Sequence, residues 1–387
     1  ELLNGTLLTQ GGRILAVDSI VKIPKHAIIH DLNGDYIYPS FIELFSEYGI
    51  PYKKKSTWKA KPQYETSTNG AVSWNEAIKP ETEAMNIFNH QDEKASVYRA
   101  AGFGTILTHQ NDGIARGSGL LTTLKNDKEH FTILKGRASA HYSFDKGVSR
   151  QKYPSSLMGS IALLTQTYLD AEWYEQAPKN EYNRSLEAWN KLQNLPQFFE
   201  VNNKTDILRA WKIADEFEID YIFFAAGNEY QRIDEIAETG FSLVLPLNFP
   251  KAYDVSDPYA AKMVSLQKMK DWEMAPANAR ILTEKDIFFA FTSRYLKKKT
   301  DVLANIKTAI AHGLSQEDAL AALTINPAKM IEASADLGTI EKGKLANFLI
   351  CSGNLFEKGE IYSNWIQGKE HIINRKNNFD ARGNYLI

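Results

Sequence analysis

A single cysteine, Cys351, occurs in 387 residues. An internal disulfide is therefore excluded, and so is a zinc site built from clustered thiolates. That thiol sits in the apolar run NFLICSG, where a buried, inert side chain is expected rather than a reactive one. An excess of one charge is also missing. The 45 basic and 47 acidic residues leave a formal charge of -2, so no basic field exists to hold a phosphate backbone and nucleic acid is not an expected partner. Long apolar runs are absent: YIFFAA and FLIC fall far short of the ~20 residues that a membrane-spanning helix needs. Neither a phosphate loop nor a Gly-x-Ser-x-Gly nucleophile elbow occurs. GIARGSGLL is glycine-rich but lacks the Lys-Ser/Thr ending, and it reads as a tight loop between strands. The start, ELLNGTLL, has no methionine and no signal-peptide pattern. It suggests a processed or trimmed chain, exported if a leader has been removed.

What is present suffices for a substantial core, since 43% of the residues are hydrophobic. Residues 5–38 alternate apolar and polar positions around Gly-Gly and Asn-Gly, a texture of β-hairpins in GTLLTQ, RILAVDSIV and AIIHDLNGDYIY. GKLANFLICSG, EIYSNWIQGK and EHIIN near the far end have the same texture, so the two ends are expected to pair as one small sheet domain. Between them, short apolar runs alternate with helical patterns. SLMGSIALLTQTYLDAEWYEQA predicts a long helix, TDILRAWKIADEFEI another, and YIFFAA and IFFAF fully buried strands. That alternation predicts a parallel α/β sheet, open or closed into a barrel. The polar stretch from YKKKSTW to EAMN interrupts it, as a solvated loop over the barrel mouth or as a wall of a ligand groove.

The stretch PSFIELFSEYG, residues 39–49, has the position of a first barrel strand. Together with GGRILAVDSIV, KGRASAHYSFD, LPQFFEVNN, HGLSQEDALAALTINPAKMI and LGTIEKGKLANFLICSGN, it resembles the amidohydrolase superfamily, chiefly its imidazolonepropionase-like branch. The tail, roughly 312–354, is the most specific part. The resemblance implies a TIM-type (β/α) barrel over 39–345. It also implies a composite β-sandwich from 1–38 plus 346–373, and a linker or tail over 374–387.

The chemistry implied by the resemblance is metal-assisted hydrolysis of carbon–nitrogen bonds, non-peptide or dipeptide, with zinc or another divalent metal activating water. Carried across position by position, the family's His-x-His falls on Phe45 and Glu47. Its next histidine falls on Glu200, the one after on Ala226, and its last-strand aspartate on Arg294. All five depart from the pattern. Phe45 and Ala226 offer no lone pair, and a guanidinium only donates. A fixed cation at ~4 Å repels a divalent ion by several kcal/mol even at an effective dielectric of ~20. No metal, no cofactor and no catalytic residue are therefore expected. Arg294 is expected to fill the vacated space and pair with Glu200, Glu47 or both; the alternative is that Glu47 and Arg294 point to solvent at a wide mouth.

His109 and His141 sit at expected strand ends, and Asn228 and Glu229 follow another strand, so all four are candidates for ligand contact. His26, His30, His90, His130, His312 and His371 are expected on the surface. Three functional readings remain. The first is a catalytically silent half of a tandem protein, packed against an active amidohydrolase domain of the same longer chain, as in related bacterial chains where a degenerate copy precedes an intact one. The second is a hydrolase with a rearranged site, one metal on Glu47, Glu200 and His109 or His141. The third is a small-molecule-binding module. Homo-oligomers are common among such barrels.

Overall fold

The computed structural model describes residues 4–54, 59–176 and 181–375. The Gly-Gly signal near the start makes the hairpin it predicts. Strand β1 (Thr6–Gln10) pairs antiparallel with β2 (Arg13–Asp18) around Gly11 and Gly12, whose φ values of 58° and 81° suit a two-residue turn that side chains resist. Of AIIHDLNGDYIY, only its end becomes a strand, β3 (Tyr36–Pro39). Residues 27–35 form none, and Ile28 and Ile29 are exposed, because no neighbouring strand is there to pair with them.

Eight strands then form one sheet: β4 (Phe41–Ser46), β5 (Phe103–Thr108), β6 (Ala115–Thr123), β7 (Ile133–Ser143), β8 (Gln197–Glu200), β9 (Tyr221–Phe224), β10 (Ser242–Pro246) and β11 (Phe289–Thr292). They neighbour one another in chain order from β4 to β11. Every residue of β4, β5, β6, β8 and β11 is buried, the burial that near-continuous apolar strands predict. Direction departs from expectation at one strand: β6 runs antiparallel to both β5 and β7, while the other pairings are parallel. Only residues 109–114 join β5 to β6, too few for the crossover of a dozen or more residues that a parallel return needs. GIARGSGLL is accordingly not a loop between strands, since most of it lies inside β6.

Helices cover the sheet where the 3.6-residue pattern predicts them, including Leu157–Gln176 and Lys204–Phe217. The second is capped by Asn203, whose side chain accepts from the Thr205 and Asp206 amides; Ile207, Ala210, Ile213 and Ala214 bury one stripe. All eight strands also contribute to a separate apolar cluster that includes Ile42, Leu107, Leu121, Ala138, Phe198, Phe224, Val244 and Ala290. The edge strands β4 and β11 are linked by the buried Glu43 carboxylate. It accepts from the Ser293 amide at 2.7 Å, from the Phe45 amide at 3.0 Å and from the Thr292 and Ser293 hydroxyls.

The chain's far end supplies β12 (Phe348–Cys351), β13 (Ile361–Ile366) and β14 (Lys369–Ile372). These form a four-stranded antiparallel sheet in which β12 pairs with β3. Backbone bonds from Ile14 to Lys344 and from Ala346 to Gly12 tie the hairpin to the same end. Cys351 is fully buried there, and burial pushes its thiol up to about 12, the inert state expected. Residues 51–83 are not simply a solvated loop: Asn75, Ala77 and Ile78 are buried, and Ile78 bridges to Ala115. Lys55 and Trp58 of that stretch, and most of the tail 374–387, lie outside the described residues.

Candidate functional site

Parallel strands deliver their C-terminal ends to one edge of a sheet, and a strand of opposite direction begins there. Phe45 lies at the end of β4 and Glu47 just after it, His109 follows β5, Arg116 lies at the start of β6, His141 near the end of β7, Glu200 ends β8, and Arg294 follows β11. Topology therefore gathers charges and rings that are far apart in sequence.

Glu200 is at the centre. One carboxylate oxygen pairs with Arg294 and the other with Arg116. Arg116 also donates from Nε to the Gly113 carbonyl at 3.0 Å. The Arg294 guanidinium lies 4.0 Å from the Phe45 ring centre and 4.2 Å from that of Tyr295. Tyr295 has φ of 64°, a left-handed conformation that costs a bulky residue about 1 kcal/mol or more. Desolvation pulls both arginines down to about 10, still far above neutrality, so both are cations. The expected pairing of Arg294 is thus with Glu200. Glu47 is exposed and takes a hydrogen bond from the Asn111 backbone, feeling the two guanidiniums only through space.

Sequence reasoning missed Arg116 and Glu43. A signal existed: Arg116 is the sole charge in residues 113–124, and Glu43 the sole charge in residues 36–46. A lone charge inside an uncharged, strand-like run must find a partner if that run is buried.

His109 and His141 are buried and stacked, with ring centres 3.6 Å apart and planes 5° from parallel. Phe45 meets His109 edge-on at 5.0 Å, and Phe198 lies 5.5 Å from His141. Gly119 leaves the room they need, since a Cβ there would come within 2.6 Å of His141 Nε2. That nitrogen is hydrogen-bonded to Ser139 Oγ at 2.7 Å; His141 Nδ1 and both His109 nitrogens have no partner among the described residues. His90 and His371 are half-buried rather than exposed, and Tyr48 Oη meets His90 Nδ1 at 2.9 Å.

Burial holds His109 and His141 well below the usual imidazole range, helped for His109 by His141 and both arginines and for His141 by Arg116. Both are neutral in the fold, whereas the unfolded chain protonates them below ~6.5. Their contribution is complete above that pH and is lost as pH falls toward the depressed folded values, by about 1.4 kcal/mol per pH unit for each ring. Urea midpoints measured between pH 8 and 5 should fall accordingly. His109→Phe should make the slope shallower by about one proton. An unchanged slope would show that the ring is charged in the fold. A residual slope is expected from His90 and His371, which burial also lowers, His371 to about 4.

The other two candidates are held within the loop after β9. Glu229 is buried and accepts from the Ala226 amide at 2.8 Å, the Gly227 amide at 3.0 Å and Asn278 Nδ2 at 2.8 Å. Asn228 Oδ1 accepts from the Lys204 amide at 3.0 Å. Asn228 also borders a cleft of about 250 Å³, shared with Ala226, Tyr230, Asn248, Phe249 and Asp271.

The side chains at this edge do not fit a divalent metal. Phe45 and Ala226 have no donor atom, Glu200 has both oxygens in ion pairs, and Arg294 repels a cation. Imidazole lone pairs lie in the ring plane, and two near-parallel planes 3.6 Å apart give no point where both meet an ion at ~2.1 Å. Among the described residues, no group of three His, Cys, Asp or Glu is arranged to hold a metal ion.

Comparison with known proteins places this arrangement on a known fold. Residues 269–381 match the sequence model described as Amidohydrolase family. No curated protein matches the chain. An amidohydrolase from Thermotoga maritima superposes with a TM-score of 0.74 at 21% identity, over 94% of this chain and 94% of its own. A prolidase complexed with N-methylphosphonate-L-proline does so at 0.53 and 14%, over 95% and 94%. Phenylurea hydrolase B follows at 0.52 and 12%, over 95% and 93%. The α/β fold with its large central sheet is that of amidohydrolase structures.

Proposed function

We propose that this chain is an amidohydrolase-like module that does not hydrolyse on its own and acts as the structural or regulatory half of a larger tandem amidohydrolase. The observation that carries the proposal is the Arg294 guanidinium, paired with Glu200 and resting on Phe45. In this reading Phe45, Glu47, Glu200, Ala226 and Arg294 are the degenerate metal-ligand positions, and the arginine stands where the divalent ion would be. Metal-assisted hydrolysis needs an open coordination position, an acidified water and a nearby base. An arginine at the centre supplies a fixed positive charge without any of the three. The same reading takes the eight-stranded sheet as a closed barrel over 39–345, supported by the Glu43 link between its edge strands and by the cluster that all eight strands share. It takes 1–38 and 346–373 as one composite β-sandwich, supported by the β3–β12 pairing.

Elemental analysis of the purified chain tests the reading. The expected result is divalent metal well below one equivalent, and no chelator-sensitive turnover of dipeptides or other carbon–nitrogen substrates. One tightly held zinc, nickel or manganese per chain, with turnover that a chelator abolishes, would overturn it in favour of a rearranged hydrolase using Glu47, Glu200 and His109 or His141. The expected genetic context is a longer product whose second copy carries an intact His-x-His pair and terminal aspartate.

The cleft beside Asn228 favours a second reading, a module that captures a small molecule without turning it over. A ligand bound only by the native state would raise the unfolding temperature with no product formed.

A further inference from the structure

Helix Leu266–Met274, between β10 and β11, turns a carboxylate rather than an apolar stripe toward the body. Of its nine residues only Asp271 and Met274 are not exposed, while Leu266, Met269 and Trp272 lie open to solvent. A surface helix ordinarily does the reverse, with its apolar face inward and its charges out. Withdrawing a carboxylate from water is unfavourable unless hydrogen bonds and a counter-charge offset the lost solvation.

Only half of that offset is in place. Asp271 Oδ1 accepts from Tyr230 Oη and from Gln231 Nε2, both at 2.6 Å. Oδ2 takes neither a hydrogen bond nor an ion pair among the described residues. Burial, together with the bond to Asp271, pushes Tyr230 up to about 12, so its hydroxyl keeps the proton it donates. Lys204 does not neutralise the acid, because its ammonium is bound to Gln231 Oε1. Glu229 adds a second negative charge nearby, and only the neutral amides of Ala226, Gly227 and Asn278 hold it. Asp271 is also the one charged residue lining the cleft of about 250 Å³ at the C-terminal ends of β9 and β10. Other walls of that cleft are apolar, among them Pro246, Phe249, Pro250, Ala275, Ala279 and Phe291.

We propose that this cleft binds a small organic cation, a primary ammonium on a short apolar stem, with Asp271 Oδ2 accepting from the ammonium. The proposal rests on the second reading above, that the cleft captures a small molecule, and adds the class of molecule. An anion would be repelled by Asp271 and Glu229 together, and a neutral ligand would leave the carboxylate without a counter-charge. An ammonium suits the site better than a guanidinium does. The guanidinium fork engages both oxygens of a carboxylate, and Oδ1 already has two donors, whereas an ammonium needs a single free oxygen. Phe249 and the two prolines offer the stem an apolar wall.

Ligand-observed NMR titration of the whole chain in an amine-free buffer tests it, with n-pentylamine, 1-pentanol and pentanoate as probes of matched length. Pentylamine should bind about tenfold or more tighter than pentanol, and pentanoate should not bind. Asp271→Asn keeps an oxygen for Tyr230 and Gln231 and removes the charge. It should weaken pentylamine by about tenfold or more and leave pentanol unchanged, with the unfolding temperature as the check on folding. The probe series on the wild type decides the charge preference even if that variant does not fold. Nα-acetyl-lysine methylamide separates two sources of the same ammonium: tighter binding than pentylamine assigns the cleft to a lysine side chain, weaker binding to a free amine. Pentanol or pentanoate binding as tightly as pentylamine would overturn the cation and leave the small-molecule reading standing. No binding of any probe up to ~100 mM would overturn both. Pentylamine binding indifferent to Asp271→Asn would overturn the assignment of the carboxylate.

Discussion

Replacing Glu200 by alanine should destabilise the fold by about 3–5 kcal/mol. Its carboxylate is the shared partner of two buried guanidiniums. Without it, Arg116 and Arg294 face each other as like charges that cannot shed their protons. Arg116 keeps the Gly113 carbonyl and the through-space attraction of Asp145, Asp112 and Glu47, and Arg294 keeps the Phe45 and Tyr295 rings and the attraction of Glu47. Removing one arginine is milder. Arg294→Met leaves a balanced Arg116–Glu200 pair, and methionine can rest against the same two rings, so a cost of about 1–2 kcal/mol is expected. The triple change Arg116→Met, Glu200→Leu and Arg294→Met should recover most of what Glu200→Ala loses, because it removes the desolvated charges along with their attraction. Urea midpoints at constant pH and salt measure all three. A cost below ~1 kcal/mol for Glu200→Ala would mean that the guanidiniums find water or another anion, and that the cluster is not closed.

The pattern of results would also show why this site was partly legible from sequence. Glu200 and Arg294 stood out because the family resemblance carries ligand positions onto them, and a carboxylate and a guanidinium at two such positions invite pairing. The excess of arginine could not be read that way. Arg116 reaches Glu200 only because β6 runs backwards, and burial of a strand reveals nothing about its direction. Direction is set by the shortness of residues 109–114, which the general alternation of strands and helices does not reveal. The stacked imidazoles are a similar case. Position placed His109 and His141 at strand ends, but their contact depends on the offset between β5 and β7 across β6, and on Gly119 leaving space. Periodicity worked best where one element suffices, as in the helix Leu157–Gln176, the buried run of β9 and the Gly11–Gly12 turn. It failed at AIIHDLNG, where alternation had no second strand to meet.

Glu43→Ala should cost about 3–6 kcal/mol, and its effect should be spatially specific. Four donors converge on this carboxylate: the amides of Phe45 and Ser293 and the hydroxyls of Thr292 and Ser293. Lys299, whose ammonium donates to the Ser293 carbonyl at 2.7 Å, supplies positive charge nearby. Alanine leaves the two amides without partners in a buried seam, at about 1–3 kcal/mol each. The hydroxyls can rotate toward other acceptors and should cost less. Glu43→Gln keeps one acceptor oxygen and turns an NH2 toward a donor, so it should fall between alanine and wild type. Hydrogen exchange gives the sharper measurement. Because Glu43 lies on β4 and its partners Thr292 and Ser293 end β11, losing it should release amides of both edge strands together while β8 and β9 stay protected. If global stability dropped but exchange in β4 and β11 kept its wild-type ranking, the carboxylate would be serving the turn at 292–294 alone. The two edges of the sheet would then be held together by the apolar cluster between them.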